Sequence, residues 1–186
     1  MQKNGCAEFS ENESCFVTRK FIDTLKQKAL HNPSKKYRYC LHQNPESTLH
    51  EMVIVTTKQD MKYPDKHMDT TESNIILEGK LLVVFFRENG EIQNTFVLEP
   101  DNTFYYRCER NQYHMTIPLT DVAVYVEIKE GPFNENSNVY PAWAPDKDDI
   151  DRMKAFNEKV KEYAMKELAK EEIDVVPGES RNNNAF

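Results

Sequence analysis

The stretch Lys80-Leu81-Leu82-Val83-Val84-Phe85-Phe86-Arg87-Glu88-Asn89-Gly90-Glu91-Ile92-Gln93-Asn94-Thr95-Phe96-Val97-Leu98 decides how this chain is read. Two runs rich in β-branched and aromatic residues, Lys80 to Arg87 and Ile92 to Leu98, flank Glu88-Asn89-Gly90-Glu91. Asn-Gly supplies the two positive-φ positions that a type I′ turn requires, so the segment predicts an antiparallel hairpin. Its apolar run, Leu81 to Phe86, is six residues long. That is far short of the ~20 needed to span a bilayer, and no membrane span is expected.

Outward from the hairpin, Met52 to Thr57, Asn74 to Leu77, Thr103 to Cys108, His114 to Leu119 and Val122 to Lys129 have the same composition and are separated by turn residues. So many short strands between Tyr37 and Lys129 predict a sandwich or a small barrel. Before them, Val17, Phe21 and Leu25 recur every four residues with Ile22 and Ala29 beside them, and Asn32-Pro33 closes the segment. This is an amphipathic helix, expected to cover one end or edge of the β body. After Pro145, the residues Ile150, Met153, Phe156, Val160, Tyr163 and Leu168 form an apolar stripe opposite Lys and Glu. The stripe predicts a long C-terminal helix that either packs on a sheet or mediates a homodimer contact. Residues 1–13 are expected to be flexible, 14–176 to form a single domain with its barrel core at about 37–145, and 177–186 to be a disordered tail.

Composition narrows the function classes. The 186 residues are 39% hydrophobic and 11% aromatic, enough for one packed domain and inconsistent with a collagen-like, coiled-coil-only or fully disordered chain. The 24 Lys and Arg against 31 Asp and Glu leave a net charge of −7, which argues against a nucleic-acid partner because phosphate-backbone affinity comes from cationic side chains. The local basic run Lys35-Lys36-Tyr37-Arg38 reads as a solvated loop. No apolar signal core follows Met1, so a cytoplasmic protein is expected. Cys6, Cys15, Cys40 and Cys108 include no Cys-x-x-Cys and read as free thiols rather than a zinc ribbon or a supported nucleophile. Phosphate-loop, nucleophile-elbow and dinucleotide fingerprints are absent.

The chemistry-bearing stretch is Tyr63-Pro64-Asp65-Lys66-His67-Met68-Asp69-Thr70-Thr71-Glu72. Residues two apart on a strand share a face, so Asp65 and His67 can present a carboxylate and an imidazole to one point, and a loop lets Glu72 approach from the next strand. A fourth donor must come from a distant strand, and His114 stands at the start of one. Neutral nitrogens with anionic oxygens suit a divalent metal. By residue type alone, a charged loop and an ordinary hydrogen-bonded histidine are the competing readings.

The spacing of His67, four residues, Glu72, six residues and Gly79, with a histidine on a later strand, resembles the cupin metal motif. The segments Pro64-Asp65-Lys66-His67, Thr71-Glu72-Ser73 and Leu77-Glu78-Gly79-Lys80-Leu81 resemble the WbuC-type cupin-fold metalloproteins. So do Asn111-Gln112-Tyr113-His114, Val126-Glu127-Ile128-Lys129-Glu130-Gly131-Pro132-Phe133 and Pro141-Ala142-Trp143-Ala144-Pro145. The resemblance spans about Tyr37 to Pro145. It implies a mainly β fold, the cupin double-stranded β-helix or jelly-roll barrel, with a divalent transition metal (Zn, Mn, Fe or Ni) inside its mouth and Asp65, His67, Glu72 and His114 as ligands. Such proteins carry a histidine at the position of Asp65 and a glycine at that of Asn111. Asn tolerates the left-handed conformation, so the second change is mild. The first hardens the ligand set toward Mn(II), Fe(II) or Zn(II), or else frees Asp65 to accept a proton and leaves His67, Glu72 and His114 as a facial triad.

The resemblance also implies a setting in bacterial surface-polysaccharide (O-antigen) biosynthesis, and with it a saccharide or nucleotide-linked sugar as substrate. A metal there polarises a substrate oxygen while Glu127 or Asp65 moves a proton, as in an isomerase or epimerase. The alternatives are a non-catalytic saccharide-binding module with a structural or ligand-orienting metal, and a barrel that has lost its metal through the change at Asp65. Glu127 is expected either to enter the barrel mouth or to pair with Lys129 in solvent. Tyr113 and Trp143 are read as stacking surfaces or as packing. Arg38 is read as an anion contact or a surface residue.

Overall fold

A computed structural model describes residues 7–174. Along the chain lie β1 (Ala7–Phe9), α1 (Arg19–His31), β2 (Lys36–Cys40), β3 (Leu49–Thr57), β4 (Lys66–His67), β5 (Glu72–Glu78) and β6 (Leu81–Phe86). There follow β7 (Ile92–Leu98), β8 (Tyr105–Cys108), β9 (Tyr113–Pro118), β10 (Val122–Glu130), β11 (Asn138–Val139) and α2 (Ile150–Asp174). Antiparallel partners nest in chain order: β3 with β10, the segment entering β4 with β9, β5 with β8, and β6 with β7. Such nesting arises when one long ribbon winds on itself. Lateral pairing of β10 with β5 and of β6 with β9 then places one sheet, β1-β2-β3-β10-β5-β8, against a second built on β7-β6-β9. The fold is mainly β, a jelly-roll barrel of the cupin type.

Strand alternation decides what lies inside. On β3 and β10, Met52, Ile54, Ala123 and Tyr125 join the inner core, while Val53, Val55 and Val124 face outward against Ile22, Leu25 and Ala29 of α1. Because β3 and β10 are apolar on both faces, α1 lies over the outer face of the large sheet and not over an end or edge, as had been expected. On the opposite side α2 sets Val160 and Ala164 against Leu82, Val84, Phe86 and Met115. Two residues of the anticipated stripe, Ile150 and Tyr163, are instead 46% and 53% exposed. Ala164 and the buried Asn157 hold inward positions, and the Asn157 amide accepts from the Lys62 N–H at 3.3 Å and donates to the Lys62 carbonyl at 2.9 Å. A stripe drawn through the larger apolar residues omits both, one for its small side chain and the other for its polarity.

Several other expectations change. Residues 7–9, placed in a flexible N-terminus, form β1 and pair in parallel with β2. Residues 1–6 and the anticipated tail at 177–186 lie outside the described residues. The basic run read as a solvated loop forms β2 from Lys36 onward, with Tyr37 and Tyr39 turned toward α1. The hairpin exists, but only Gly90 of the Asn-Gly pair has positive φ, +88°. With the Gly90 N–H donating to the Arg87 carbonyl at 3.0 Å and that of Arg87 to Glu91 at 2.8 Å, the turn combines an i→i+3 bend with a glycine bulge.

A Cβ at Gly90 would stand 2.8 Å from the Trp143 ring. Gly90→Ala is therefore expected to lower unfolding stability by about 1–2 kcal/mol, through strained φ plus displacement of the indole. Urea denaturation monitored by the fluorescence of that tryptophan checks it. Among the described residues, no helix is long and apolar enough to cross a membrane.

Candidate metal centre

His67 arrives on β4, Glu72 opens β5, and His114 is the second residue of β9. All three are buried, and one potential ligand atom from each lies within 4.8 Å of the others. Both imidazoles turn Nε2 to the same carboxylate: His67 Nε2 is 3.1 Å from Glu72 Oε2 and His114 Nε2 is 3.0 Å from Oε1. Their other nitrogens are engaged. His67 Nδ1 meets the Asn138 side-chain oxygen at 2.9 Å, and His114 Nδ1 meets the Gln112 carbonyl at 3.0 Å. Those oxygens only accept, so each Nδ1 carries a proton and a neutral ring offers its lone pair at Nε2. Two lone pairs aimed at a carboxylate require a positive charge among them. A tetrahedral cation with bonds of about 2.0–2.1 Å separates its ligand atoms by roughly 3.3 Å, close to the contacts seen here. The donor set fits a divalent metal.

The local electrostatics agree. Burial opposes charge on His67 and His114, yet Glu72 outweighs it and raises both imidazole pKa values. Burial likewise opposes charge on Glu72, but the two rings hold its carboxyl well below the usual range. Asn74 Nδ2 donates to Glu72 Oε1 at 3.2 Å and steadies it.

Asp65, anticipated as the fourth ligand, is not among the clustered donors. Its backbone exchanges two hydrogen bonds with His114, at 2.9 and 3.1 Å, so its carboxyl stands beside that ring on the strand face. Burial pushes that carboxyl's pKa up, with His114 and His67 acting against it. Asn111, which occupies the glycine position of the resembling motif, has φ +61°, and its N–H donates to the His67 carbonyl at 2.8 Å.

The cluster borders a cavity of about 210 Å³. Asp65, Glu127 and Arg38 line it, so the structure brings three more of the anticipated residues to the same space. Glu127 is 9% exposed and its Oε1 lies 3.9 Å from Lys129 Nζ, an ion pair facing the cavity rather than solvent. Tyr113 and Trp143 do not line it. Their rings pack on each other at 5.7 Å, Trp143 packs on Phe86 at 5.2 Å, and the indole donates to the Glu88 carbonyl at 3.1 Å. Sequence reasoning missed Lys36, Lys62, Asn74, Tyr106 and Asn138. For Lys36 a signal existed: in Lys36-Tyr37-Arg38-Tyr39-Cys40 the cationic and aromatic residues alternate with a period of two.

A family described as "Domain of unknown function (DUF6016)" matches residues 17–98, from just before α1 to the end of β7. No curated protein sequence matches the chain. Among solved structures, it is similar to the capsular polysaccharide assembling protein CapF from Staphylococcus aureus, with 16% identity and a TM-score of 0.48 over 56% of this chain and 29% of that one. It is also similar to oxalate decarboxylase from Lactobacillus farciminis in a formate complex, with 15% identity, a TM-score of 0.42, and 50% and 27% of the two chains covered. For the Bacillus subtilis oxalate decarboxylase, studied for its Mn(II) centres, the values are 16% identity, 0.41, 50% and 24%. The chain therefore spans less than a third of the length of these proteins.

Proposed function

We propose that this chain is a metal-dependent cupin of the WbuC type that acts on a small saccharide in the cytoplasm, in bacterial surface-polysaccharide biosynthesis. The saccharide and its setting come from the sequence resemblance. The metal reading is carried by one observation: two buried imidazoles, each tied back through Nδ1, present both Nε2 atoms to one carboxylate at the edge of a cavity. The cavity's 210 Å³ is below the ~300–1,000 Å³ of sites for drug-sized molecules. A monosaccharide unit suits it, and the nucleotide of a nucleotide-linked sugar would lie outside.

His67 Nε2, His114 Nε2 and Glu72 would hold Zn, Mn, Fe or Ni. Such an ion supplies Lewis acidity toward a carbonyl or hydroxyl oxygen. Asn138, Gln112 and Asn74 fix the orientation of the three donors. Glu127 is the group that accepts and returns a proton at carbon, with Asp65 next to it in that role, and the buried strand faces around them exclude bulk water.

Incubation of the metal-loaded protein with candidate sugars and nucleotide-linked sugars, read by mass spectrometry and by deuterium incorporation in NMR, tests the reading. Glu127→Gln is expected to keep the metal and lower turnover by about 10²-fold or more. Substrates returned unaltered with each of Mn, Fe, Ni and Zn would remove catalysis and favour a saccharide-binding module.

A further inference from the structure

The cavity has a second pole. Lys36 and Arg38 enter it from β2, the first inward-facing pair on a strand whose Tyr37 and Tyr39 pack outward against α1. Lys62 and Lys129 line it too, but Lys62 is committed to Asp60 at 2.6 Å and Lys129 stands 3.9 Å from Glu127. Among the described residues no ion pair engages Lys36.

Four carboxylates, Asp60, Asp65, Glu72 and Glu127, face those four cations. A divalent ion at the His67/Glu72/His114 cluster therefore leaves the cavity with two positive charges in excess. Tyr106 adds a donor: it is 6% exposed, it lines the cavity, and its hydroxyl has no hydrogen-bond partner within the described structure. A buried hydroxyl without a partner is costly, and a ligand oxygen would satisfy it.

We propose that the substrate carries an oxyanion, a carboxylate or a phosphate, which lies against Lys36 and Arg38 while a neutral oxygen of the same molecule faces the His67/Glu72/His114 cluster. This deepens the metal-dependent reading above and rests on it for the excess charge and for the second contact, while Lys36 and the Tyr106 hydroxyl stand independently of it. The substrate class is an acidic or phosphorylated sugar of monosaccharide size. A neutral sugar would leave the excess charge uncompensated in a low-dielectric space. Burial, followed by the neighbouring charges of Lys62 and Arg38, pushes the Lys36 ammonium down to about 8, against the pull of Asp60 and Glu127.

Titration calorimetry of the full chain with inorganic phosphate and with malonate, in parallel with metal analysis of the same samples, tests the site. The metal-free protein is expected to bind at least one probe through Lys36, Arg38 and Tyr106, the metal-loaded protein to bind it more tightly, and the tighter of the two probes identifies the oxyanion. Lys36→Met and Arg38→Gln are each expected to weaken binding by roughly tenfold or more, whereas Lys58→Met, an exposed control, leaves it unchanged. Either variant alone suffices if the other fails to fold. Unchanged affinity in a folded variant, or no binding of either probe up to about 10 mM, overturns the proposal. A protein that binds phosphate but no metal defeats the metal reading and leaves the oxyanion site standing.

Discussion

A protein carrying both His67→Ala and His114→Ala is expected to retain no transition metal, where the unaltered protein purified without chelator holds about one equivalent. The two substitutions remove both Nε2 donors and leave Glu72 as the single member of the cluster. One buried carboxylate cannot offset the dehydration of a divalent ion, so the loss is expected to be complete and not graded. Glu72 changes as well: without the two rings, burial is opposed only by the Asn74 amide, so its carboxyl pKa rises and proton uptake becomes easier. That uptake spares the variant an unpaired buried charge, so it should fold, which circular dichroism can verify. In the unaltered protein, metal entry displaces the protons held on the raised imidazoles, and the binding enthalpy should vary with the ionisation enthalpy of the buffer. Metal analysis by mass spectrometry decides the matter. Unchanged metal content in the double variant would rule out this site.

What could be read in the sequence followed from how local each signal was. Ile92–Leu98 has the same limits in the structure as in the alternation of its residues, and the inward and outward sets of β3 and β10 follow from a period of two. His67, Glu72 and His114 could be named because ligand chemistry restricts residue types. Their convergence could not be derived from spacing, since it depends on Asp65 pairing with His114 across 49 positions of chain. The two-residue strands β4 and β11 are too short to carry a periodic pattern, and they hold together through Asn138 pairing with His67. Without β11 the Asn138 contact to His67 Nδ1 could not be foreseen. Trp143 illustrates the opposite error: an aromatic near a motif suggested a stacking surface, but the close approach of Gly90 and the packing of α2 claim the ring. The pull of an apolar face toward burial outweighed the functional guess.

Lys62→Met is expected to lower unfolding stability by about 3 kcal/mol, the largest effect of any single substitution considered. Lys62 and Asp60 are 9% and 8% exposed as side chains and meet at 2.6 Å, and the same carboxylate oxygen accepts from Thr56 Oγ1 at 2.6 Å. Methionine keeps the aliphatic stem but removes the ammonium, so Asp60 keeps one hydroxyl as its hydrogen-bond partner while Lys36 acts on it only across the cavity. Breaking a buried pair from one side costs more than the pair itself contributes, because the remaining charge has lost both water and counterion. The backbone around Lys62 cannot relax freely to re-expose Asp60, since Asn157 of α2 clamps the Lys62 N–H and carbonyl together. Replacing Asp60 by Asn in the same chain removes the stranded charge and is expected to restore at least half of the loss, a non-additivity that a double-mutant cycle measures directly. Urea denaturation of the three variants at constant m-value supplies the numbers. A Lys62→Met protein within about 0.5 kcal/mol of the original would mean that water in the cavity already solvates Asp60, and the pair would then be a surface contact in all but position.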